Sequence, residues 1–591
     1  MSQSARNNVP FDRLAMALVG AASGIALWLF VKILPDLIEN TRILLFLTAF
    51  VMGYFAILMA LTGPARMKVA AVAALALALP AATLLVWASL RFENTKAYLD
   101  SGLTLVTFIL GLGVTTPFIA AALQEKSGWK HYRLLFDISW VIVVRYAASW
   151  LFVAVFWGVL MLSDALFEIV GITFIEDLLD IAWVPYLITG TVLGLALAVV
   201  HELSDYVSPF LILRLLRLLL PVVLLVVAVF IVALPFRGLD GLFGSFSAAA
   251  TLMAMAWAGI TLVTTALDKS DDDAVANAPM LLMTRGLAAL LPIMAVLSTY
   301  AIWLRVKQYG LTPDRIAAGF LALFIVGYSL AYLVAILRNR SWMADIRKAN
   351  RLMAMALVAV CALWFTPLFN MERLSTNSQI TRFEAGEVSV DALALWEMAH
   401  DWGFAGTDGL ARLRMMEARD DHAALVARID LAVTTTSKYV FMRDQVASST
   451  GETIASLRSL IVVKPDGATL PEDVFQTLPN FQISQLQSAC ERLLSDGRPG
   501  CVAVIGTFNP AIDQPQGIFI FLTSKTRAAT LSFGGLSGGT SVGGAAWDLA
   551  TGRGAILTPD AVKDALDGKY TFEAANLQAL TIGGVTLIPD N

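Results

Sequence analysis

Long apolar stretches separated by short polar segments fill the first 370 residues of this chain. A hydrocarbon core of about 30 Å is crossed by about 20 helical residues at 1.5 Å per residue. Polar breaks such as residues 63–66 and 124–126 separate the stretches, although the region 134–171 is too long for one upright helix. The pattern predicts an all-α polytopic transmembrane helical bundle of about eleven spans. We expect these spans at residues 14–34, 43–61, 69–90, 103–123, 141–162, 183–200, 218–234, 247–267, 281–304, 316–337 and 352–369.

The pattern changes after residue 370, where charged residues become frequent and the apolar runs become shorter. Helical periodicity predicts helices at residues 390–401, 408–418 and 470–494, and strand-like runs follow at residues 501–506 and 517–523. A further helix is predicted to start at Pro559, with Thr558 as its N-cap. The sequence therefore predicts a bundle over residues 1–370 and a soluble α+β domain over residues 371–591.

The composition supports a membrane protein. Hydrophobic residues make up 58% of the chain and charged residues only 15%, whereas a soluble domain carries about 25% charged residues. The mean hydropathy is +0.71. A soluble core cannot hide so much apolar surface, so the lipid bilayer is the required partner. The net charge of −4 argues neither for nor against nucleic acid, and we expect neither a nucleic-acid partner nor a cofactor.

The distribution of Lys and Arg predicts the orientation in the membrane. Counting these residues in alternate loops gives roughly twice as many on the side of the N-terminus as on the opposite side. Positively charged loops remain in the cytoplasm. With eleven spans, we expect a bacterial inner-membrane protein with a cytoplasmic N-terminus and a periplasmic domain after residue 370. An error of one span would move that domain into the cytoplasm.

The three cysteines bear on the same question. Cys361 lies in an apolar run, while Cys490 and Cys501 flank a turn-like stretch, residues 495–500. In an oxidising compartment, these two thiols are expected to form a disulfide. The alternative is a pair of unpaired thiols in a core.

Arg145 is the most informative charged residue within the predicted spans. If the fifth span begins near Leu134, Arg145 lies deep in the bilayer and needs a carboxylate partner such as Asp137 or Asp164. If the span begins near Val141, the side chain extends to the cytoplasmic interface. The sequence leaves both alternatives open.

Two motifs resemble catalytic signatures but lack an essential part. His201 and Glu202 end the sixth span, yet a zinc site of the protease type needs a second His where Asp205 stands. An interfacial polar cluster is the better interpretation. Residues 535–539 carry the letters of a nucleophile elbow, but no His follows them in the chain, as the usual order requires. The acidic run 271–273 is interpreted as a solvated loop, and no metal site is expected.

The fourth span contains residues that can interrupt a helix. Interrupted helices line the substrate sites of many transporters, although proline kinks are also ordinary in membrane helices. A broken helix and a simple kink both remain possible here. The residues concerned are Gly111, Gly113, Thr115, Thr116 and Pro117.

Pairs of small residues four positions apart occur in the first and sixth spans. Gly20 with Gly24, and Gly190 with Gly194, have the spacing that lets helix backbones approach closely in lipid. These pairs predict a compact bundle and are neutral about function.

Two further stretches carry a family resemblance. Residues 309–315 join two predicted spans, with Gly310 suited to end one helix and Thr312 to cap the next. Together with the aromatic fifth span, the two stretches resemble the bacterial membrane proteins grouped as domain of unknown function 4153, over residues 103–410. The resemblance implies a multi-span inner-membrane protein without an established activity or known functional residues. The residues that carry it are Tyr309, Gly310, Leu311, Thr312, Pro313, Asp314, Arg315, Leu374, Ser375, Ser378, Gln379 and Arg382.

Three classes of function follow from these patterns. The leading hypothesis is a non-enzymatic protein whose bundle anchors a periplasmic domain that binds a partner protein or envelope component. The first alternative is a transporter or channel that uses the bundle, suggested by the fourth span and Arg145. The second is an enzyme acting on lipid-linked substrates at the outer interface. A general acid and base could come from an acidic segment with Glu168, Glu176, Asp177 and Asp180. The alternative interpretation of this segment is an interfacial helix with a solvated acidic face.

Overall fold

A computed structural model provides the fold of this chain. It divides into two compact units, residues 1–433 and residues 434–591. The predicted boundary at residue 370 is the point at which the long apolar helices end. The boundary between the two compact units lies later in the chain, after residue 433. The described residues are 3–63, 65–100, 102–203, 209–237, 248–339, 341–418, 421–471, 474–475, 478, 480–508, 510, 513–524, 526–534, 547–548, 553–554, 557–572, 580–582 and 585–587.

The first unit is helical throughout the part that the structure describes. Ten of its helices are long and apolar enough to cross a membrane, which confirms the predicted polytopic bundle. A π-helical segment, Leu29–Ile33, continues the first helix. The helices up to residue 364 are α1 (Gln3–Trp28), α2 (Leu34–Leu37), α3 (Thr41–Leu61), α4 (Met67–Ser89), α5 (Thr95–Asp100), α6 (Leu103–Gln124), α7 (Tyr132–Ile169), α8 (Phe174–Leu179), α9 (Val184–Glu202), α10 (Pro209–Arg237), α11 (Ala248–Leu267), α12 (Ala278–Tyr309), α13 (Pro313–Arg338) and α14 (Trp342–Trp364).

Helix α14 corresponds to the eleventh predicted span. It is not among the ten because its first turns are polar, with Asp345, Arg347 and Lys348. Arg347 near its start bonds to the C-terminal end of α11, and Phe365 just beyond its end packs on Phe108 near the start of α6. The helix therefore runs from one end of the bundle to the other.

Helix α7 covers the region that the sequence marks as too long for one upright span. It is a single helix of 38 residues, about 57 Å long at 1.5 Å per residue. Its second half is largely exposed, with Leu151, Val155 and Val159 each more than half accessible. Such a surface suits contact with lipid.

Buried side chains form several cores within the bundle. One core joins α10 to α14 around Leu287, Ala288 and Tyr332. Another joins α3, α4, α6 and α7 around Ala74 and Ala121. Small residues dominate this second core, as expected for helices that pack closely in lipid.

Four shorter helices complete the first unit. These are α15 (Met371–Glu384), α16 (Leu395–His400), α17 (Gly403–Arg414) and α18 (His422–Thr434). The amide of Phe404 donates to the carbonyl of Arg91 at 2.9 Å, which ties the start of α17 to the segment after α4.

The second unit has α+β architecture, as predicted. Its main sheet has the order β1-β2-β3-β4, with β1 parallel to β2 and the other pairs antiparallel. Strand β2 is buried on both faces, because α19 and α20 cover one face and α21 covers the other. The elements are α19 (Lys438–Leu460), β1 (Val462–Lys464), α20 (Asn480–Cys490), β2 (Cys501–Ile505), β3 (Gly517–Leu522), β4 (Ala528–Phe533), β5 (Trp547–Asp548), β6 (Arg553–Gly554), α21 (Pro559–Leu566), β7 (Leu580–Ile582) and β8 (Val585–Leu587).

Candidate functional site

Polar contacts divide the segments of the bundle between two ends. At the first end, the Lys269 ammonium contacts the Asp137 carboxylate at 3.1 Å, and Arg351 donates to the carbonyl of Lys130. At the second end, Arg42 donates to the carbonyl of Phe92 at 2.8 Å. Each contact joins segments that the Lys and Arg count assigns to the same side of the membrane.

Arg145 lies at the first end and is almost fully buried, with 3% of its surface exposed. Its Nη1 and Nη2 atoms donate to the carbonyl oxygens of Thr62 and Met59, at 3.0 and 2.9 Å. The last carbonyls of a helix have no partner within the helix, and its C-terminus carries partial negative charge. Arg145 therefore caps the C-terminus of α3.

The carboxylates proposed as partners of Arg145 lie elsewhere. Asp137 is paired with Lys269. Asp164 is 19 residues beyond Arg145 on the same helix, which corresponds to about 28 Å at 1.5 Å per residue. Main-chain carbonyls thus take the role that the sequence analysis gave to a carboxylate.

His201 joins Arg145 beside Gly63. A Cβ atom on Gly63 would lie 3.0 Å from both Arg145 Nη1 and His201 Nε2, so the two side chains enclose this glycine. The next residue, Glu202, accepts a hydrogen bond from Arg13 Nε at 2.8 Å. The sixth predicted span therefore ends in an ion pair with α1, and its last histidine lies beside the segment after α3.

The first end also holds an ionic cluster that the sequence analysis missed. Arg217 pairs with the buried Asp268 and donates to the carbonyl of Thr265 at 2.9 Å. Arg347 donates to the carbonyls of Leu267 and Asp268 at 2.6 and 3.0 Å, and it pairs with Asp271. The two arginines cap the C-terminus of α11. The acidic run 271–273 is thus partly engaged, although it was interpreted as a solvated loop.

A buried hydrogen-bond network lies among α7, α11, α13 and α14. Tyr332 donates to the Asn350 side chain at 2.5 Å and contacts the Thr264 hydroxyl at 3.0 Å. The Asn350 amide donates to the Tyr132 hydroxyl at 3.2 Å. Polar groups that satisfy one another in this way specify helix packing.

The fourth span is a continuous helix, so the broken helix, one of the two alternatives left open by the sequence, is not present. Helix α6 is continuous from Leu103 to Gln124 and contains Pro117. The hydroxyls of Thr115 and Thr116 bond to the carbonyls of Gly111 and Leu112, at 2.6 and 2.7 Å. Such local bonds are how Ser and Thr satisfy backbone groups near a proline in a membrane helix. Gly111 allows close packing on Cys361 of α14, whereas Gly113 has open space around it.

The two stretches that carry the family resemblance contact each other at the second end. The Gln379 amide donates to the carbonyls of Tyr309 and Leu311, at 2.9 and 3.2 Å. The amide of Leu311 donates to the Ser378 hydroxyl at 3.2 Å. Arg382 donates to the carbonyls of Lys307 and Gln308, at 3.1 and 3.0 Å. We call Ser378, Gln379 and Arg382, with these bonds, the α15 anchor.

The loop that receives the α15 anchor has a defined geometry. Gly310 has φ +74°, a left-handed conformation that favours glycine. Thr312 caps α13 by accepting from the amide of Arg315, and Pro313 occupies the first helical position. Arg315 donates in turn to the carbonyl of Gly310 at 2.9 Å. The loop is therefore bonded both within itself and to α15.

A buried carboxyl group lies near the α15 anchor, on the first turn of α15. Glu372 is 9% exposed, and its Oε2 has no hydrogen-bond partner among the described residues. Burial raises the pKa of this carboxyl, and the nearby Arg91 opposes the rise. Burial also raises the pKa of Tyr98, an effect that the charge of Arg91 opposes and that of Glu372 reinforces. A lone acidic residue at a helix start gives no sequence signal of this burial.

The small-residue pairs of the first and sixth spans pack against each other. A Cβ atom on Gly20 would overlap the carbonyl oxygen of Gly190, and one on Gly24 would overlap that of Tyr186. Helices α1 and α9 are therefore in backbone contact. Beside them is a cleft of about 500 Å³, lined by Ser23, Gly24, Leu27, Met52, Ala56, Met59, Tyr146, Trp150, Pro185, Tyr186, Thr189, Gly190 and Leu193.

In the second unit, Cys490 and Cys501 form a disulfide. Cys490 ends α20 and Cys501 begins β2, and each side chain is 1% exposed. The bond closes the turn between these two elements. Cys361 is a free, buried cysteine in α14.

The remaining candidates for chemistry are the acidic residues at the end of α7 and in the segment after it, and the motif at residues 535–539. Glu168, Glu176, Asp177 and Asp180 are all exposed. No group of three or more His, Cys, Asp or Glu side chains suited to a metal ion occurs among the described residues. Residues 535–539, with the letters of a nucleophile elbow, lie outside those residues.

Comparison with known proteins identifies the family. No curated protein and no solved structure shows significant similarity to the chain. The family model described as "Domain of unknown function (DUF4153)" matches residues 17–397. This match covers the bundle, the loop after α12 and the whole of the α15 anchor. The chain therefore belongs to the DUF4153 family of membrane proteins.

Proposed function

We propose that this protein is a non-enzymatic membrane anchor that presents its second unit on the outer face of a bacterial inner membrane. There the second unit binds a partner protein or an envelope component. The observation that carries the proposal is the α15 anchor, because it fixes the first helix after the bundle to the loop between α12 and α13. A fixed exit point suits a bundle whose task is to hold a domain.

Two independent features support the orientation. The loops richer in Lys and Arg belong to the first end, which the charge rule assigns to the cytoplasm. The disulfide between Cys490 and Cys501 suits an oxidising compartment such as the periplasm. Both support an outer location for the chain after α14.

The buried charges of the bundle favour anchoring over transport. Arg145, Arg217 and Arg347 all donate to main-chain carbonyls at helix ends, so they serve to hold helices together. Helix α6 is continuous, which removes the interrupted helix that suggested a substrate site. The transporter alternative remains testable, because a water-filled path would expose cysteines introduced at Thr115 or Thr116 to membrane-impermeant thiol reagents.

Site-specific crosslinking in living cells tests the proposal. A photoreactive amino acid at Leu493, which is 66% exposed in the second unit, should yield one recurrent adduct with an envelope protein or glycan. The matched control carries the same group at Leu162, which is 72% exposed and lies on α7, a candidate membrane span. Adducts that are absent at several exposed positions of the second unit, or identical to those at Leu162, would refute the proposed role.

The orientation is tested separately. An impermeant maleimide added to intact spheroplasts should label a cysteine that replaces Leu493 but should not label one that replaces Arg66. The reverse pattern would place the second unit in the cytoplasm and would contradict the proposal.

A further inference from the structure

The cleft beside α1 and α9 has mostly apolar walls, and two of its hydroxyl groups are already bonded within the protein. The Tyr146 hydroxyl donates to the carbonyl of Ala56 at 2.7 Å. The Thr189 hydroxyl donates to the carbonyl of Pro185 at 2.7 Å and accepts from Trp157 Nε1 at 3.1 Å. A buried water needs two to four polar partners. With these groups engaged, the cleft favours an apolar occupant.

The shape of the cleft restricts that occupant further. On α9 the lining residues extend from Pro185 to Leu193, a length of about 12 Å at 1.5 Å per residue. The cleft therefore runs parallel to the helices, in the direction in which lipid chains lie. Its volume of about 500 Å³ falls within the usual range of ligand sites, about 300–1,000 Å³.

The surroundings identify the source of the occupant. All four helices that line the cleft, α1, α3, α7 and α9, are candidate membrane spans. At its rim, Trp150 is 51% exposed and Leu27 is 38% exposed, so the opening faces the medium around the spans. In a membrane, that medium is hydrocarbon.

We propose that the cleft between α1, α3, α7 and α9 binds one acyl chain of a membrane phospholipid. The Gly24–Gly190 contact keeps α1 and α9 together along one wall, while Met52, Met59 and Leu193 provide an adaptable apolar lining. A bound chain fills space that would otherwise lack contacts, so it stabilises the folded bundle. This site is independent of the anchoring role.

Photolabelling in vesicles tests the site. The protein is reconstituted in phosphatidylethanolamine vesicles that contain phosphatidylglycerol with a diazirine in one acyl chain. After irradiation, peptide mapping should find adducts on Met52, Met59 or Leu193. Unlabelled phosphatidylglycerol should lower the yield of these adducts in a saturable way. It should not do so for adducts on Leu151 and Val155, which lie on the lipid-facing side of α7.

A pair of variants sharpens the test. Ala56→Trp should fill the cleft and lower its labelling about tenfold or more, which corresponds to a loss of at least about 1.4 kcal/mol. Ala147→Trp adds the same side chain to an exposed position of α7 outside the cleft and should leave the labelling unchanged. The proposal is wrong if labelling of the cleft residues does not saturate with the photoreactive lipid, or if it equals the labelling of Leu151 and Val155. Either result would mean that no acyl chain is bound there. The wild-type competition decides the question even if Ala56→Trp fails to fold.

Discussion

The side-chain nitrogen of Gln379 lies 2.7 Å from the position that a Cβ atom on Gly310 would occupy. The same nitrogen donates to the carbonyls of Tyr309 and Leu311 on either side of this glycine. Because residue 310 has no side chain, the loop between α12 and α13 leaves space for the amide of Gln379 in this position. This relationship gives a physical reason why the two stretches that carry the family resemblance occur together.

Substitution of Gly310 should destabilise the bundle. In Gly310→Ala, the methyl group meets Gln379, and φ +74° is strained for alanine, so we expect a loss of about 1–3 kcal/mol. Thermal unfolding in detergent measures it. The control is Gly319→Ala, because Gly319 lies within helix α13 with no atom near its missing Cβ. That change should instead be neutral or stabilise by about 0.5–1 kcal/mol. Equal effects of the two substitutions would contradict the role of the α15 anchor.

The contact between α1 and α9 should be equally sensitive to one methyl group. Gly190→Ala drives a Cβ atom into the carbonyl oxygen of Gly20, so the helices must separate, at an expected cost of about 1–3 kcal/mol. Gly158→Ala on α7 has open space around the new methyl group and should not destabilise. The separation is measured with one cysteine introduced on α1 and one on α9, placed within disulfide distance of each other. The yield of the disulfide between them should fall when the two helices move apart. An unchanged crosslinking yield in Gly190→Ala would show that the contact is not close.

Arg145→Gln should lower stability without creating a transport defect. The substitution removes the hydrogen bonds to Met59 and Thr62 and leaves their carbonyls uncapped, which costs about 1–3 kcal/mol. The control Arg133→Gln changes an exposed arginine on the same helix and should shift stability by at most about 0.5 kcal/mol. Ion flux through reconstituted vesicles should be the same for both variants and the wild type. A change of flux in Arg145→Gln alone would favour the transporter alternative.

Glu372 should make the stability of the bundle dependent on pH. Its pKa is raised in the folded protein because burial disfavours the charged form, despite the opposing effect of Arg91. Its favourable contribution is therefore complete below the unfolded pKa and is lost as pH rises through the folded pKa. Glu372→Gln should remove this dependence and be more stable than the wild type at pH 8. Glu384→Gln, an exposed carboxyl on the same helix, should leave the pH profile unchanged. A wild-type stability that rises from pH 5 to pH 8 would contradict the assignment.

Removal of the disulfide should weaken the second unit. The bond joins residues 11 positions apart, and a loop of that size contributes about 3 kcal/mol in the chain-entropy model. Cys490→Ser should therefore lower the unfolding temperature of the second unit in the full-length protein, and dithiothreitol should do the same to the wild type. Cys361→Ser, which changes the free cysteine of α14, is the control: it should keep the wild-type unfolding temperature and remain sensitive to dithiothreitol, whereas Cys490→Ser should lose that sensitivity. If thiol blocking in intact cells captures both Cys490 and Cys501 as free thiols, the disulfide and its support for the orientation are lost.

The extent of the bundle was predictable because lipid imposes a length and an apolar composition on each span. The full extent of helix α14 could not be recognised from apolar length alone. Its first turns carry charges that bond to α11 at the first end, so its apolar part is short. Its crossing is evident only once the partners of Arg347 are known. Similarly, within the predicted helix at residues 470–494 the structure describes one helix, α20, because periodicity does not define helix ends.

The partners of the buried polar groups could not be predicted. Arg145 was expected to require a carboxylate, yet its partners are carbonyls, which every residue has and which therefore give no signal in a sequence. The pairing of Arg217 with Asp268 joins residues 51 positions apart, and no local pattern links them. Burial of Glu372 depends likewise on the packing of α15 against segments that are distant in the chain. The glycine pairs, by contrast, were visible as a motif, although which helices they join was not.

The arginines that cap helix ends have a consequence for how the protein is made. The carbonyls of Met59 and Thr62 emerge from the ribosome more than 80 residues before Arg145, and Leu267 precedes Arg347 by 80 residues. Each earlier helix thus enters the bilayer before its C-terminal carbonyls have their arginine donors, which a later helix supplies. We therefore expect the early helices to stay near the insertion machinery until their later partners arrive. We also expect truncated chains that stop between these points to be preferred substrates for membrane quality-control proteases.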